Sequence, residues 1–164
     1  MTTYHIPLRP GVDTVIDRAD EPLTRGFHWR LLGNGYVSAQ RGNLQIYLHR
    51  LIAGAGPGET VDHINRDPLD NRTSNLRIST KSQNGANRGA DRRREGTTSR
   101  HKGVSWRKER GYWAAYIHVD GKTRYLGKFE NEDEAAQAYN RAAKEAWGKW
   151  ARLNDVDEQE GAVN

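Results

Sequence analysis

Residues 61–87 read VDHINRDPLDNRTSNLRISTKSQNGAN, a stretch crowded with Asp, His and Asn and poor in side chains to bury. Two readings compete for it: a polar surface loop, or a set of groups arranged around a phosphate. Cutting a phosphodiester requires a base that deprotonates water and a cation that neutralises charge building on the phosphate and the leaving oxygen. A frame must hold both in register. Asp62 and the Asn residues offer the carboxylate and amide oxygens that a hard divalent ion takes. His63 is the single imidazole inside the stretch, and an ordinary pKa of about 6.5 suits a base at neutral pH.

Adjacent Asp62 and His63 point to opposite sides of an extended strand, so both face one phosphate only where the backbone bends. A strand–loop–helix hairpin supplies such a bend. PLDNRTSN carries turn chemistry throughout, and TKSQNGANR is expected to form a short helix that returns Asn84 towards Asp62.

The elements that must position these residues are small. The chain has 164 residues, 35% of them hydrophobic, and a mean hydropathy of -0.97, which suits one ordinary domain or two small ones better than one large core. Five Trp and seven Tyr partly offset the lean composition, because each aromatic ring buries much area. The formal charge is +5, with basic residues gathered over residues 72–110 and acids at Asp155, Asp157, Glu158 and Glu160. A basic middle fits a polyanion partner and equally a solvated linker. With no cysteine, disulfides and zinc–cysteine sites are excluded, so a metal must sit on oxygen and imidazole ligands, which favours Mg2+ or Mn2+. There is no apolar run near the roughly 20 residues of a membrane span, and MTTYHIPLRPG lacks the apolar centre of a signal peptide. The expectation is a soluble, cytoplasmic protein without membrane partners.

Short β-like runs, DTVID, FHWRLL, GYVSAQ and LQIYLH, precede the polar stretch. GADRRREGTTS reads as a linker. Beyond it, KGVSWRK, GYWAAYIHVD and KTRYLGKFE are three strands joined at KERG and DG, the latter a strong hairpin signal. Asn131 is placed to cap a helix, with Glu134 completing a capping box. Ala135, Ala138, Tyr139, Ala142 and Ala146 form its apolar stripe, and Gly148 stops it. In YWAAYIHV, alternation assigns Trp113, Ala115, Ile117 and Val119 to the core and Tyr112, Ala114, Tyr116 and His118 to the open face.

With LHRLIAG ahead of it, the stretch VDHINRDPLDNRTSNLRISTKSQNGAN resembles the HNH endonucleases of the His-Me finger class, in the homing-type branch of phages and mobile introns. Asn75 stands twelve residues after His63, and Asn84 nine further on, as in that branch. The resemblance implies that His63 is the general base. Asp62 and Asn84 would bind one Mg2+ (or Mn2+), and Asn75 would bond within the loop and hold the His63 ring. Asn84 stands where the family name expects His, a replacement common in this branch. Arg72 and Arg77 are candidates for gripping backbone phosphates.

Residues 99–154 resemble the DNA-binding domain of plant ethylene-response factors, through KGV, YLGKF, DEAAQAYNRAA and the closing LN. That resemblance implies a three-stranded sheet set in the major groove of double-stranded DNA. The family's contact positions fall on Lys102, Ser105, Arg107, Tyr116, His118 and Tyr125, with Arg124 nearby. Several of these are Arg or Trp in plants, so the plant target sequence does not transfer.

The expected fold is α+β: a small β region leading into a ββα-metal HNH motif, then a three-stranded antiparallel sheet packed on one helix. The expected divisions are a nuclease domain at 1–88 with its motif at 49–87, a linker at 89–99, a DNA-binding domain at 100–154 and an acidic tail at 155–164. The expected function is a metal-dependent DNA endonuclease with a sequence-reading domain, a monomer in the absence of any heptad pattern. The alternatives are a non-catalytic DNA-binding regulator and a nuclease for RNA or structured substrates.

Overall fold

In TYHIPLR, Tyr4, Ile6 and Leu8 alternate with exposed residues, and this period makes β1 (Thr3–Arg9). It pairs antiparallel with β2 (Val12–Asp17), setting Ile6 opposite Thr14 and Tyr4 opposite Ile16. The computed structural model describes residues 2–88 and 98–156. Most of the expected linker, and the tail from residue 157, lie outside these described residues.

After the short helix α1 (Glu21–Thr24), β3 (Arg30–Leu31), β4 (Val37–Arg41) and β5 (Leu44–Tyr47) form an antiparallel sheet in that order. FHWRLL supplies only two strand residues, because Trp29 turns into the core and its Nε1 donates to the Thr24 carbonyl at 3.1 Å. LQIYLH likewise ends as a strand at Tyr47, and α2 (Leu48–Ile52) begins with the fully buried Leu48. Ile6, Ile16, Trp29, Val37, Ala39 and Leu48 make one core, and Leu69 of the polar stretch packs against it.

The polar stretch folds as β6 (Thr60–His63), a long loop, β7 (Leu76–Ser79) and α3 (Lys81–Asn87). The two strands pair antiparallel from Thr60–Ser79 to His63–Leu76.

The C-terminal sheet contains β8 (Val104–Arg107), β9 (Tyr112–Val119) and β10 (Lys122–Phe129), with β9 central. Helix α4 (Glu132–Trp147) covers one face, burying Ala135, Ala136, Ala138, Tyr139 and Ala143. Its start is as expected: Asn131 Oδ1 accepts the Glu134 backbone N–H at 2.7 Å. Gly103 sits where an added Cβ would fall 2.2 Å from the Tyr139 ring, with φ at +77°, so only glycine lets this turn meet the helix. Asn154 buckles the end of the segment. It exchanges hydrogen bonds with the Lys102 backbone and with the Asn140 side chain.

The molecule is mixed α and β with small sheets and few helices, divided into compact units at Met1–Asn84 and Gly85–Asn164. Among the described residues, no helix is long and apolar enough to cross a membrane.

Candidate functional site

Strand β6 delivers Asp62 and His63 as adjacent buried side chains, 4% and 5% exposed. Burial of a carboxylate and an imidazole in so polar a stretch demands partners. Asp62 lies opposite Arg77, whose Nε and Nη2 both donate to Asp62 Oδ2, at 2.9 and 2.7 Å. Pairing continues in register through His63, so the bend expected between the two residues is absent and alternation divides them between the hairpin's faces. The backbone turns only beyond His63, where Arg66 N–H donates to the His63 carbonyl and Arg66 takes a positive φ of 68°.

The His63 ring packs at a tilt beside His49 and Tyr36, with ring centroids at 5.3 and 6.0 Å. Its Nε2 lies 3.2 Å from Asn71 Oδ1. Burial is the main influence on its pKa and holds it below the usual value. The Asn71 hydrogen bond and the charges of Asp62, Asp67 and Asp70 oppose that shift. The ring is therefore neutral at neutral pH, the form that accepts a proton. His49 is buried too, its pKa lowered to about 4 by desolvation, then by His63 and Arg50. Arg50 closes the loop after α2 by donating to the carbonyls of Gly56 and Glu59, so this pair packs and braces.

Asn75 corrects one expectation. It bonds within the loop as expected, since its Oδ1 accepts Asn65 N–H at 2.9 Å and its Nδ2 donates to Asn65 Oδ1 and the Asp70 carbonyl. It does not hold the imidazole: the amide at that ring is Asn71, fully buried, to which the sequence alone assigns no role. Several asparagines share this loop, and spacing alone does not say which amide turns inward. Asn84 falls at the middle of α3, half-buried, its backbone N–H bonded to the Thr80 carbonyl.

Both arginines assigned to phosphate are engaged elsewhere. Arg77 neutralises Asp62, which is buried and needs a countercharge. Arg72 forks onto Asp70, Nε to Oδ1 and Nη2 to Oδ2, both at 2.7 Å, and this contact holds the Asp70 carboxyl below its usual pKa.

On the C-terminal sheet, register separates the expected contacts. Ser105 faces Ala114, Arg107 faces Tyr112, Tyr125 faces Tyr116 and Thr123 faces His118, so Ser105, Arg107, Tyr116, His118 and Tyr125 share the face away from α4. Arg107 lies over the Tyr116 ring, 5.2 Å from its centroid, and donates to its hydroxyl at 2.9 Å. Tyr116 and Tyr125 pack at 5.3 Å between centroids. Two residues do not join this face. Arg124 pairs with Ile117, a core residue, and so falls on the opposite side, although it is exposed. Lys102 is turned inward: Nζ donates to the carbonyls of Gly85, Ala86 and Arg88 at 2.8–3.0 Å. Burial, then Arg152 and Arg88, lowers its pKa to about 8. Trp106 lies opposite Trp113 with ring centroids at 5.2 Å, which places it on the helix side.

Comparisons to known proteins place the stretch that carries this buried Asp–His pair in a family. The family model of HNH endonucleases matches residues 47–86. The chain is 36% identical over 143 residues to an uncharacterized HNH endonuclease of Acanthamoeba polyphaga mimivirus, covering 83% of this chain and 71% of that protein. It is 30% identical over 121 residues to Protein 3.8 of Escherichia phage T7, covering 72% and 93% respectively. A 59-residue segment is 39% identical to an AP2-like ethylene-responsive transcription factor of Arabidopsis thaliana, 36% of this chain and 12% of that one. No solved structure matches. The chain belongs to the HNH endonuclease family, and its activity is that of a DNA endonuclease.

Proposed function

We propose that the protein is a divalent-metal-dependent endonuclease of double-stranded DNA, of the homing type, in which β6 carries the catalytic pair and the C-terminal sheet reads sequence. The observation that carries this reading is the buried His63 anchored to Asn71, next to a carboxylate. His63 accepts a proton from water as the water attacks phosphorus. Asp62 and the amide oxygen of Asn84 are hard donors suited to Mg2+ or Mn2+. Because Asp62 and His63 lie on opposite faces of the hairpin, their joint action on one phosphate requires β6 to bend at Asp62 when the ion and DNA bind. Among the described residues no three His, Cys, Asp or Glu side chains converge into a cage, which suits an ion completed by water and substrate phosphate. When bound, the cation neutralises charge on the phosphate and the leaving oxygen. Arg77 fixes the Asp62 side chain in place, and Asn75 stiffens the loop that carries Asn71. The products are a 5′-phosphate and a 3′-hydroxyl.

The sheet face with Ser105, Arg107, Tyr116, His118 and Tyr125 fits the major groove, which admits a β-ribbon. Arg107 is the candidate for a guanine edge, already oriented by Tyr116. The partial match to the plant transcription factor supports this assignment.

The test is cleavage of supercoiled plasmid and phage genomic DNA with Mg2+, with Mn2+ and with EDTA, beside His63→Ala. Metal-dependent cutting that falls ~100-fold or more in the variant, with DNA binding retained, is the expected result. Equal cutting by the variant removes His63 as the base.

A further inference from the structure

The imidazole of His63 ends a chain of hydrogen bonds that reaches into the N-terminal hairpin. Asn71 Nδ2 lies 3.0 Å from the Pro68 carbonyl and 2.8 Å from Thr14 Oγ1. A carbonyl oxygen has only lone pairs, so the Asn71 atom facing it must be the NH2 group. This fixes the amide: its oxygen faces His63 Nε2. An acceptor at that nitrogen requires it to carry the hydrogen, which leaves the ring's lone pair on Nδ1. Thr14 completes the chain, because its hydroxyl hydrogen goes to the Leu69 carbonyl at 2.7 Å and its lone pair receives Asn71. Donation thus runs one way, from His63 to Asn71 to Thr14 to Leu69. Thr14 and Asn71 are both 0% exposed, so water does not compete for these bonds.

The same hairpin grips the loop elsewhere. Val15 N–H donates to the Leu69 carbonyl at 2.9 Å, Asn71 N–H to the Val15 carbonyl at 2.8 Å, and Thr73 N–H to Asp17 Oδ2 at 3.0 Å. β2 therefore templates residues 69–73, although it lies outside residues 47–86 that the family model matches.

We propose that Thr14 and Asn71 are positioning residues that lock His63 in the Nε2–H tautomer, so that Nδ1 is the nitrogen that takes the proton from water. This rests on His63 being the base, but the tautomer itself is measurable without activity. In the full chain labelled with 15N-histidine, at a pH where the ring is neutral, nitrogen chemical shifts separate a protonated Nε2 from a bare Nδ1. His63→Gln assigns the signal. The wild-type spectrum is expected to show Nε2–H. Thr14→Val keeps the shape and removes the hydroxyl. It is expected to mix the tautomers and lower kcat about tenfold with KM unchanged, while Thr14→Ser restores both.

A wild-type ring protonated on Nδ1 overturns the proposal. Wild-type tautomer and kcat in Thr14→Val overturn the role of Thr14. Full activity in His63→Gln would instead remove the base assignment, while the spectrum still reports whether the lock exists.

Discussion

At the scale of single residues, charge and burial decide roles that sequence spacing leaves open. Arg77 and Asp62 are both largely buried, with side chains 16% and 5% exposed, so removing the arginine strands a carboxylate away from water. Arg77→Gln is expected to destabilise the protein by about 3 kcal/mol, read from urea unfolding. Unchanged stability with weakened DNA binding would restore it as a phosphate contact. His49 gives a pH prediction. Its folded pKa is about 4 against an ordinary 6.5, so between those values the unfolded chain takes up a proton that the folded one refuses. Stability therefore falls as pH drops through that window and this contribution levels off below it, a loss on the order of 3 kcal/mol. His49→Leu should unfold with a shallower dependence on pH over the same range. An identical slope would show that another group carries the effect.

At the scale of elements, the close approach of the C-terminal sheet and its helix depends on small residues. Ala135, Ala136 and Ala143 are 0% exposed, and Gly103 has no room for a methyl group beside Tyr139. Gly103→Ala combines overpacking with a strained positive φ, so a loss of about 2–4 kcal/mol is expected. Thermal unfolding of the variant checks it, and an unchanged melting temperature would mean that the turn relaxes freely. The elements were legible wherever a local rule sufficed. The Asp-Gly hairpin, the Asn131 cap, the alanine stripe and the short helix after the polar stretch all follow from neighbours in sequence. Failures lie where a side chain's hydrogen-bond partner falls outside the local strand or helix pattern. Trp29 left its strand because Thr24 offered a carbonyl, and Lys102 turned inward because three carbonyls from residues 85–88 lay within reach. Asn71 was missed for the same reason: its partners Thr14 and His63 are 57 and 8 residues away. The residue types of the site could be read from its stretch, but its wiring depends on a hairpin near the start of the chain.

At the scale of the whole molecule, the proposed chemistry and the proposed recognition fall in different compact units. Every group assigned to hydrolysis lies within Met1–Asn84, and the Arg107–Tyr116–Tyr125 face lies within Gly85–Asn164. Phosphate contacts carry no sequence information, so a cutter joined to a reader gains both specificity and local DNA concentration. Separate cores predict separable defects. Arg107→Ala should raise KM on a selected target by roughly 10–100-fold, the equivalent of about 1–3 kcal/mol at a guanine edge, with kcat unchanged at saturating DNA. His63→Ala should do the reverse, and the double variant should show both losses added, because residues without shared partners do not couple. Binding to sequences pooled at random distinguishes the role of Arg107 further. Loss confined to the target marks a base contact, whereas a uniform loss, with a salt dependence weaker by about one counterion, marks a phosphate contact. A fall in kcat for Arg107→Ala would mean that recognition and cutting are coupled, and the division of labour between the two units would have to be abandoned.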